Sequence, residues 1–222
     1  MRINTYAASL LRELPAAEFN LWRQSQECKH LHLFREDLSN LDLKERNLAG
    51  VYFSFVNLKG TNLYGAALRG ADVIGGDWSG ANLDTADLSR ALFSGTVLSG
   101  ASFSVADVSS ACFNFVRLVG TNFSDAYLEN AQFVKVDATL SVWTDALCRA
   151  AKFFKVDFSR ADLRNTQFYY AVFNSVDLTG AICNKETNFS EVVFKRIVQS
   201  ALSAPSYIQS DLFTSRRKVL NS

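Results

Sequence analysis

The sequence predicts an all-β solenoid: a four-sided, parallel, right-handed stack of about eight coils with α-helical caps at its N- and C-terminal ends. Three regularities predict it. Every fifth residue from Leu33 to Cys183 is apolar, in one unbroken register. Ten of the eleven glycines, from Gly50 to Gly180, lie two residues after one of these anchors. Every fourth anchor repeats a residue type, running Phe53, Val73, Phe93, Phe113, Phe133, Phe153 and Phe173. A fixed internal period is read before any single residue, because it decides the fold.

A five-residue period excludes a helix, in which each successive anchor would move about 140° around the axis. It also differs from the two-residue alternation of a simple strand. It fits a short extended side followed by a corner. The anchor and the residue two before it point inward, and glycine suits the corner because turns there need positive φ. The inward residue two before each anchor is small or β-branched from Val51 onward, as at Val56, Thr61, Ala66 and Ala71. The slower rhythm sets four sides per coil, and FSFVNLKG at 53, FNFVRLVG at 113 and FNSVDLTG at 173 all begin on one column. Right-handed winding follows from the chirality of parallel crossovers.

Three stretches depart from the metre. The first coil carries Glu36, Leu41 and Arg46 at inward positions and is expected to be irregular and partly open. At Trp78 an oversized anchor follows Gly76, whose missing side chain is expected to make room for the indole. Between Ala138 and Arg149 the anchors weaken to Ala138, Trp143 and Cys148, which suggests a bulge or a short helical excursion.

Both ends of such a stack need covers. The domain plan is therefore an N-terminal helical cap over residues 1–30, repeats over 31–185, and a C-terminal helical cap or dimerisation segment over 186–222. The first cap is read as a helix from Ala16 to Gln26 that buries Phe19 and Trp22. The second is read as a helix from Glu191 to Leu202, with Asn188 and Glu191 as a capping pair and Phe194, Ile197, Val198 and Leu202 on its apolar stripe. A further helix from about Ser206 to Leu220 ends in Arg216, Arg217 and Lys218.

The units TNLYG, ADVIG, ANLDT, ADLSR, ADLRN and VDLTG resemble those of the pentapeptide repeat proteins, over about residues 31 to 185. That resemblance implies a right-handed quadrilateral β-helix, which agrees with the column reading. It also implies association through the C-terminal end, so Phe194, Ile197, Val198 and Leu202 are candidate homodimer contacts. One branch of the family protects bacterial type II topoisomerase by imitating duplex DNA. That alternative function needs a strongly negative surface. Residues 33–183 hold 16 acidic and 13 basic side chains, and Lys135, Lys152, Lys155, Arg160 and Arg164 form a basic stretch, so DNA mimicry is disfavoured.

The composition, 48% hydrophobic with two prolines, disfavours disorder. No apolar run approaches a membrane span and the N-terminus shows no long apolar signal segment, so the expected location is cytoplasmic, without membrane attachment. The four cysteines form no disulfide framework, and Cys148 and Cys183 fall on anchors as core filler. Cys28, His30 and His32 alternate as metal ligands might, but a fourth ligand is missing, so no metal site and no cofactor are expected.

A filled interior leaves no small-molecule cavity. Only two histidines exist, both near the N-terminal edge, which excludes a Ser-His-Asp or Cys-His constellation on the repeats. Repeat aspartates such as Asp72, Asp87, Asp162 and Asp177 precede anchors and serve strand edges and solubility rather than acid–base chemistry. No catalytic residue is assigned. The leading function is a non-catalytic interaction scaffold that binds an unidentified protein. Its candidate contacts are the outward aromatics Phe154, Tyr169 and Tyr170 on neighbouring turns, and Phe55 and Phe115 on one corner column. Each of these could instead cover only its own neighbourhood. A net charge of +1 disfavours direct nucleic-acid binding.

Overall fold

The computed structural model describes residues 2–25 and 31–195. Two helices, α1 (Arg2–Glu13) and α2 (Ala16–Ser25), precede nine strands: β1 (His32–Phe34), β2 (Tyr52–Ser54), β3 (Asp72–Ile74), β4 (Leu92–Ser94), β5 (Cys112–Asn114), β6 (Gln132–Asp137), β7 (Lys152–Asp157), β8 (Val172–Asn174) and β9 (Val193–Lys195). All nine form one parallel sheet in sequence order, each pairing with the strand one coil away. The other three sides are narrower and pair through single parallel bridges, such as Asp37 with Asn57, Asn62 with Asn82 and Asp107 with Tyr127. The partners are twenty residues apart, so the coil has four sides as the slower rhythm predicts. Eight coils at ~4.8 Å each make a rod of about 38 Å.

Every anchor from Leu33 to Phe173 is buried, and so is each small residue two before it from Val51 onward, apart from Gly76. The interior is stacked rather than merely apolar. The Phe93, Phe113 and Phe133 rings lie nearly parallel at 4.9 and 4.8 Å between centroids. Phe103 and Phe123 stack at 4.7 Å on another side and meet Phe113 edge-on. Buried hydroxyls find carbonyls one coil away: Thr61 donates to Leu38 O at 2.7 Å and Thr166 to Trp143 O at 2.8 Å. No polar group there is left costly by these threonines.

Every corner from Arg35 to Gly180, and the one at Glu191, adopts the left-handed conformation, in twenty-one non-glycine residues as well as the glycines. Gly76 is different, because a Cβ there would lie 2.2 Å from Val56 O and near two more backbone atoms of Val56. Its missing side chain admits the neighbouring backbone, not the indole of Trp78 as the sequence suggests. With no side chain at 76, the buried Trp78 Nε1 has no acceptor, whereas Trp143 Nε1 donates to Ser141 Oγ at 2.7 Å.

Four further expectations need correction. Residues 138–150 form a regular coil, with Ala138, Trp143 and Cys148 fully buried and no helical excursion. The first coil is closed and regular too. Its large inward residues meet the helices: Arg46 Nη2 donates to Leu14 O at 2.6 Å with its guanidinium 5.3 Å from the Phe19 ring, and Glu36 pairs with Arg12 at 3.1 Å. The N-terminal cap has two helices, not one. α2 starts after Pro15 and buries Phe19 as expected, but α1 contributes the buried Ala7, Ala8 and Leu11. Finally, residues 193–195 are strand β9 and not the first turn of a helix. A single inserted residue moves the register, so β8 pairs with β9 at Val172–Val193, Phe173–Phe194 and Asn174–Lys195. Phe189 and Phe194 extend the ring stack beyond Phe173, and Asn188 Oδ1 accepts the Ser190 N–H at 2.8 Å as a turn former rather than a helix cap. The expected helix over 206–220 lies outside the described residues, as do Gln26, Cys28 and His30.

The cap ends the β-ladder with side chains in place of a missing coil. The Asn20 carboxamide donates to Glu45 O at 2.9 Å and accepts from Asn47 N at 2.7 Å. Arg12 and Arg23 donate to the carbonyls of Asp37, Asn47 and Ala49. Edge groups that would template pairing with another chain are thus occupied.

Candidate interaction surface

With the interior filled, only the residues flanking each anchor and the corner residues reach solvent. The residue before the anchor is often Asp or Asn for a local reason. Its side-chain oxygen accepts the N–H two residues on, as Asp77 does from Ser79 at 2.9 Å and Asp157 from Ser159 at 2.8 Å. This is the Asx turn that bends the corner. Asp87, Asp162 and Asp177 do the same. Hydrogen bonds from Arg164 hold the Asp162 carboxyl below the usual carboxylate range. Such carboxylates are committed acceptors, poorly suited to moving protons.

The structure divides the aromatics singled out from the sequence. Tyr169 and Tyr170 form a pair, with ring centroids 4.0 Å apart and hydroxyls 3.1 Å apart, and that hydrogen bond raises the Tyr169 pKa. Tyr170 stands at the corner that enters the strand side. Phe154, on β7, stands next to the corner that leaves it, opposite Asn174. The three therefore flank one side instead of forming one cluster. Phe55 and Phe115 share a corner column and are both 56% exposed, but they sit three coils apart. The Phe55 ring overlies Gly75 on the next coil, and Phe115 faces the Lys135 ammonium at 4.3 Å from its centroid. Of the basic stretch, Lys135 and Lys155 stand together on one corner column in adjacent coils, and the rest is spread out. Lys152 lies on the strand side, and Arg164 on another side pairs with Asp162.

Two surfaces escape a reading of the sequence. On the strand side of the first four coils, Phe34, Tyr52, Phe55, Ile74 and Leu92 are all exposed. Tyr52 and Leu92 precede their anchors, and Phe34 and Ile74 follow theirs, so the four alternate across one face. His32 borders them, 6.3 Å from both the Phe34 and Tyr52 rings, with its Nε2 2.9 Å from Ser54 Oγ. The Arg35 guanidinium lies 5.1 Å from the Phe34 centroid. The signal in the sequence was an apolar residue beside each of four successive strand-side anchors. On the side before the strands, a shallow groove of about 430 Å³ runs along the rod between Tyr127, Leu147 and Gln167 and the column of Glu129, Arg149 and Tyr169. It is an outer groove, whereas the interior holds stacked side chains.

Of the candidate dimer contacts, Phe194 points toward Phe173 and Phe189 at 5.4 and 6.1 Å, within the ring stack. Ile197, Val198 and Leu202 lie outside the described residues. Cys148 is buried and burial pushes its thiol far up, while Cys183 is pushed up to about 12 chiefly by burial. Neither is a nucleophile at neutral pH.

A stacked, four-sided coil with Asx turns and a five-residue metre defines a class of repeat protein. The pentapeptide repeat model matches eight copies over residues 37–141 and 144–182, and the chain belongs to that family. No curated protein is a significant sequence match. Among solved structures, the chain is similar to HetL, a pentapeptide repeat protein involved in heterocyst differentiation regulation from the cyanobacterium Nostoc sp. strain PCC 7120. The identity is 23%, covering 75% of this chain and 81% of that one, with a TM-score of 0.38. It is also similar to a thylakoid-lumen pentapeptide repeat protein of Arabidopsis thaliana, at 28% identity over 44% and 68% of the two chains and a TM-score of 0.42. A third is QnrB1, a plasmid-mediated fluoroquinolone resistance protein, at 18% identity over 83% and 98% and a TM-score of 0.42. Among the described residues, no helix is long and apolar enough to cross a membrane.

Proposed function

We propose that this pentapeptide repeat β-helix is a non-catalytic scaffold that seats a protein partner on the strand side of its first four coils. One observation carries the reading: Phe34, Tyr52, Phe55, Ile74 and Leu92 lie exposed together on one face. Three aromatic and two aliphatic side chains on a rigid support match the anchors that dominate protein interfaces. The support is rigid because β2, β3 and β4 are each hydrogen-bonded to both neighbours and β1 to β2, so little ordering entropy opposes binding. His32 and Arg35 supply a polar rim.

The test is photo-crosslinking in the native host, with a photoreactive residue in place of Tyr52 and, as a control, of Tyr64 on another side. A partner captured at position 52, not at 64, and lost on Ile74→Asp and Leu92→Asp at unchanged melting temperature supports the reading. Absence of position-dependent adducts, or adducts indifferent to both aspartates, overturns it.

A further inference from the structure

We infer that the groove on the fourth side, ahead of the strands, is a binding site for a neutral linear oligosaccharide laid along the rod axis. The groove is about 430 Å³ and open to solvent, so it cannot enclose a compact metabolite as a true pocket does. It crosses several coils instead. A ligand there gains contact only by extending from coil to coil, over side chains that recur every ~4.8 Å.

Charge restricts the ligand's chemistry. The two ionic groups in the groove are Glu129 and Arg149, which pair with each other at 3.7 Å. Their charges cancel, so neither a polyanion nor a polycation has a complementary surface. The remaining lining is Ser109, Tyr127, Leu147, Gln167, Tyr169 and Asn188, all uncharged. Tyr127 and Leu147 are 49% and 42% exposed and offer an apolar platform. The planar ends of Glu129 and Arg149 stand beside it, and Gln167, whose amide N–H groups donate to Asn165 O and Glu186 O, offers its Oε1 as an acceptor. An apolar platform flanked by planar donors and acceptors suits a pyranose, which has a C–H face and a rim of hydroxyls.

The backbone separates a glycan from an extended peptide. Peptides that lie on sheets draw affinity from main-chain hydrogen bonds at a free edge. Here no strand edge is free: Tyr127 N is bonded to Ala106 O, Leu147 N to Ala126 O, Gln167 N to Ala146 O, and Leu147 O accepts from Leu128 N, while the N–H groups of Glu129, Arg149 and Tyr169 recur only once per coil, ~4.8 Å apart and out of step with the ~3.3 Å rise of an extended peptide. Recognition must come from side chains and from donors at the coil spacing, which suits a sugar polymer. The site lies on a different side from the strip proposed for the protein partner, so either can fail without the other.

The experiment titrates the full chain with cellohexaose, chitohexaose and maltohexaose, read by calorimetry and tyrosine fluorescence. We expect at least one to bind with a Kd on the order of 100 µM. Tyr127→Ala should weaken it tenfold or more at unchanged melting temperature, while Tyr64→Ala on another side leaves it intact. No binding of any of the three at millimolar concentration, or binding indifferent to Tyr127→Ala, overturns the proposal. So does a neutral extended peptide that competes for the groove more tightly than every hexasaccharide.

Discussion

Replacing Gly76 with alanine should cost several times what the same change costs at Gly80, and the comparison isolates one backbone contact. Both glycines have positive φ, +88° and +65°. At Gly80 nothing lies within 4 Å of the added Cβ, so alanine there meets only the left-handed penalty of about 1–2 kcal/mol. Reduced unfolded-state entropy returns about 0.4–1 kcal/mol, leaving a net loss of about 1 kcal/mol. At Gly76 the Cβ lies 2.2 Å from Val56 O, with Val56 N and C at 3.1 and 3.2 Å. Backbone cannot rotate away as a side chain can. The coil must separate by about 1 Å to restore contact distance, which strains Gly76 O where it accepts from Val97 N at 3.2 Å. Overpacking of this kind adds about 1–3 kcal/mol to the conformational cost. The expected loss is about 2–4 kcal/mol, or a fall in Tm of roughly 10 °C for a chain this long. Urea unfolding of both variants by circular dichroism measures it. Equal midpoints for the two variants would refute the claim that Gly76 is fixed by the approach of the Val56 backbone.

The other predictions are briefer. Phe113→Ala removes a ring stacked on Phe93 and Phe133 and should cost about 3–5 kcal/mol in the same assay; a loss below 1 kcal/mol would mean that the stack does not hold the coils together. Val105→Gly should raise stability by up to about 1 kcal/mol, because a β-branched residue occupies φ +59° there at an exposed corner. Asp162→Asn should differ from the parent only where the carboxyl is ionised. The folded pKa of Asp162 is depressed, so its contribution is present above the unfolded value and lost as pH falls through the folded one, and the two Tm curves should merge in acid below the usual carboxylate range. The gap should stay below about 1 kcal/mol because Arg164 is exposed. Added in excess to a gyrase supercoiling assay with a quinolone, the protein should change nothing, since its repeats lack the dense negative charge of DNA; protection would sink the charge argument.

The interior of this fold was legible because it is periodic. Leu63, Ala66 and Leu68 are buried for the same reason as Phe123, Ala126 and Leu128, so one rule places them all. What broke the rule was misread. One inserted residue after Cys183 hid Thr187, Phe189, Val192 and Phe194, although these keep the five-residue spacing among themselves. In the structure Asn184 absorbs the insertion, accepting from Asn165 N at 2.9 Å and donating to Asn165 Oδ1 at 2.6 Å. Arg46 looked unfit for an interior because the sequence does not show that α1 and α2 lie over the first coil. There the guanidinium reaches Leu14 O and the Phe19 ring. The outer surfaces were harder still. Tyr127 and Leu147 become neighbours only through a twenty-residue coil, and no period marks which outward side chains are large.

That asymmetry bears on where function resides. An inward substitution affects the coils on both sides, since Phe113 alone touches Phe93, Phe103, Phe123 and Phe133. Outward residues such as Tyr52 or Tyr127 are exposed by 40% and 49%, and their backbone hydrogen bonds do not depend on side-chain identity. Surface changes of this kind usually alter stability by less than about 0.5 kcal/mol. Chemistry can therefore be placed on any side of the rod without disturbing the stack. It follows that the residues which break the metre's monotony on the outside, rather than the Leu and Phe that set it, carry whatever distinguishes this chain from another of the same fold. A combined Tyr52→Ser, Ile74→Ser and Leu92→Ser variant puts this to the test. It should melt within about 6 °C of the parent while losing the crosslinked partner, because three small surface effects sum to less than a single core deletion. A collapse in Tm would instead place those side chains in the stability of the stack.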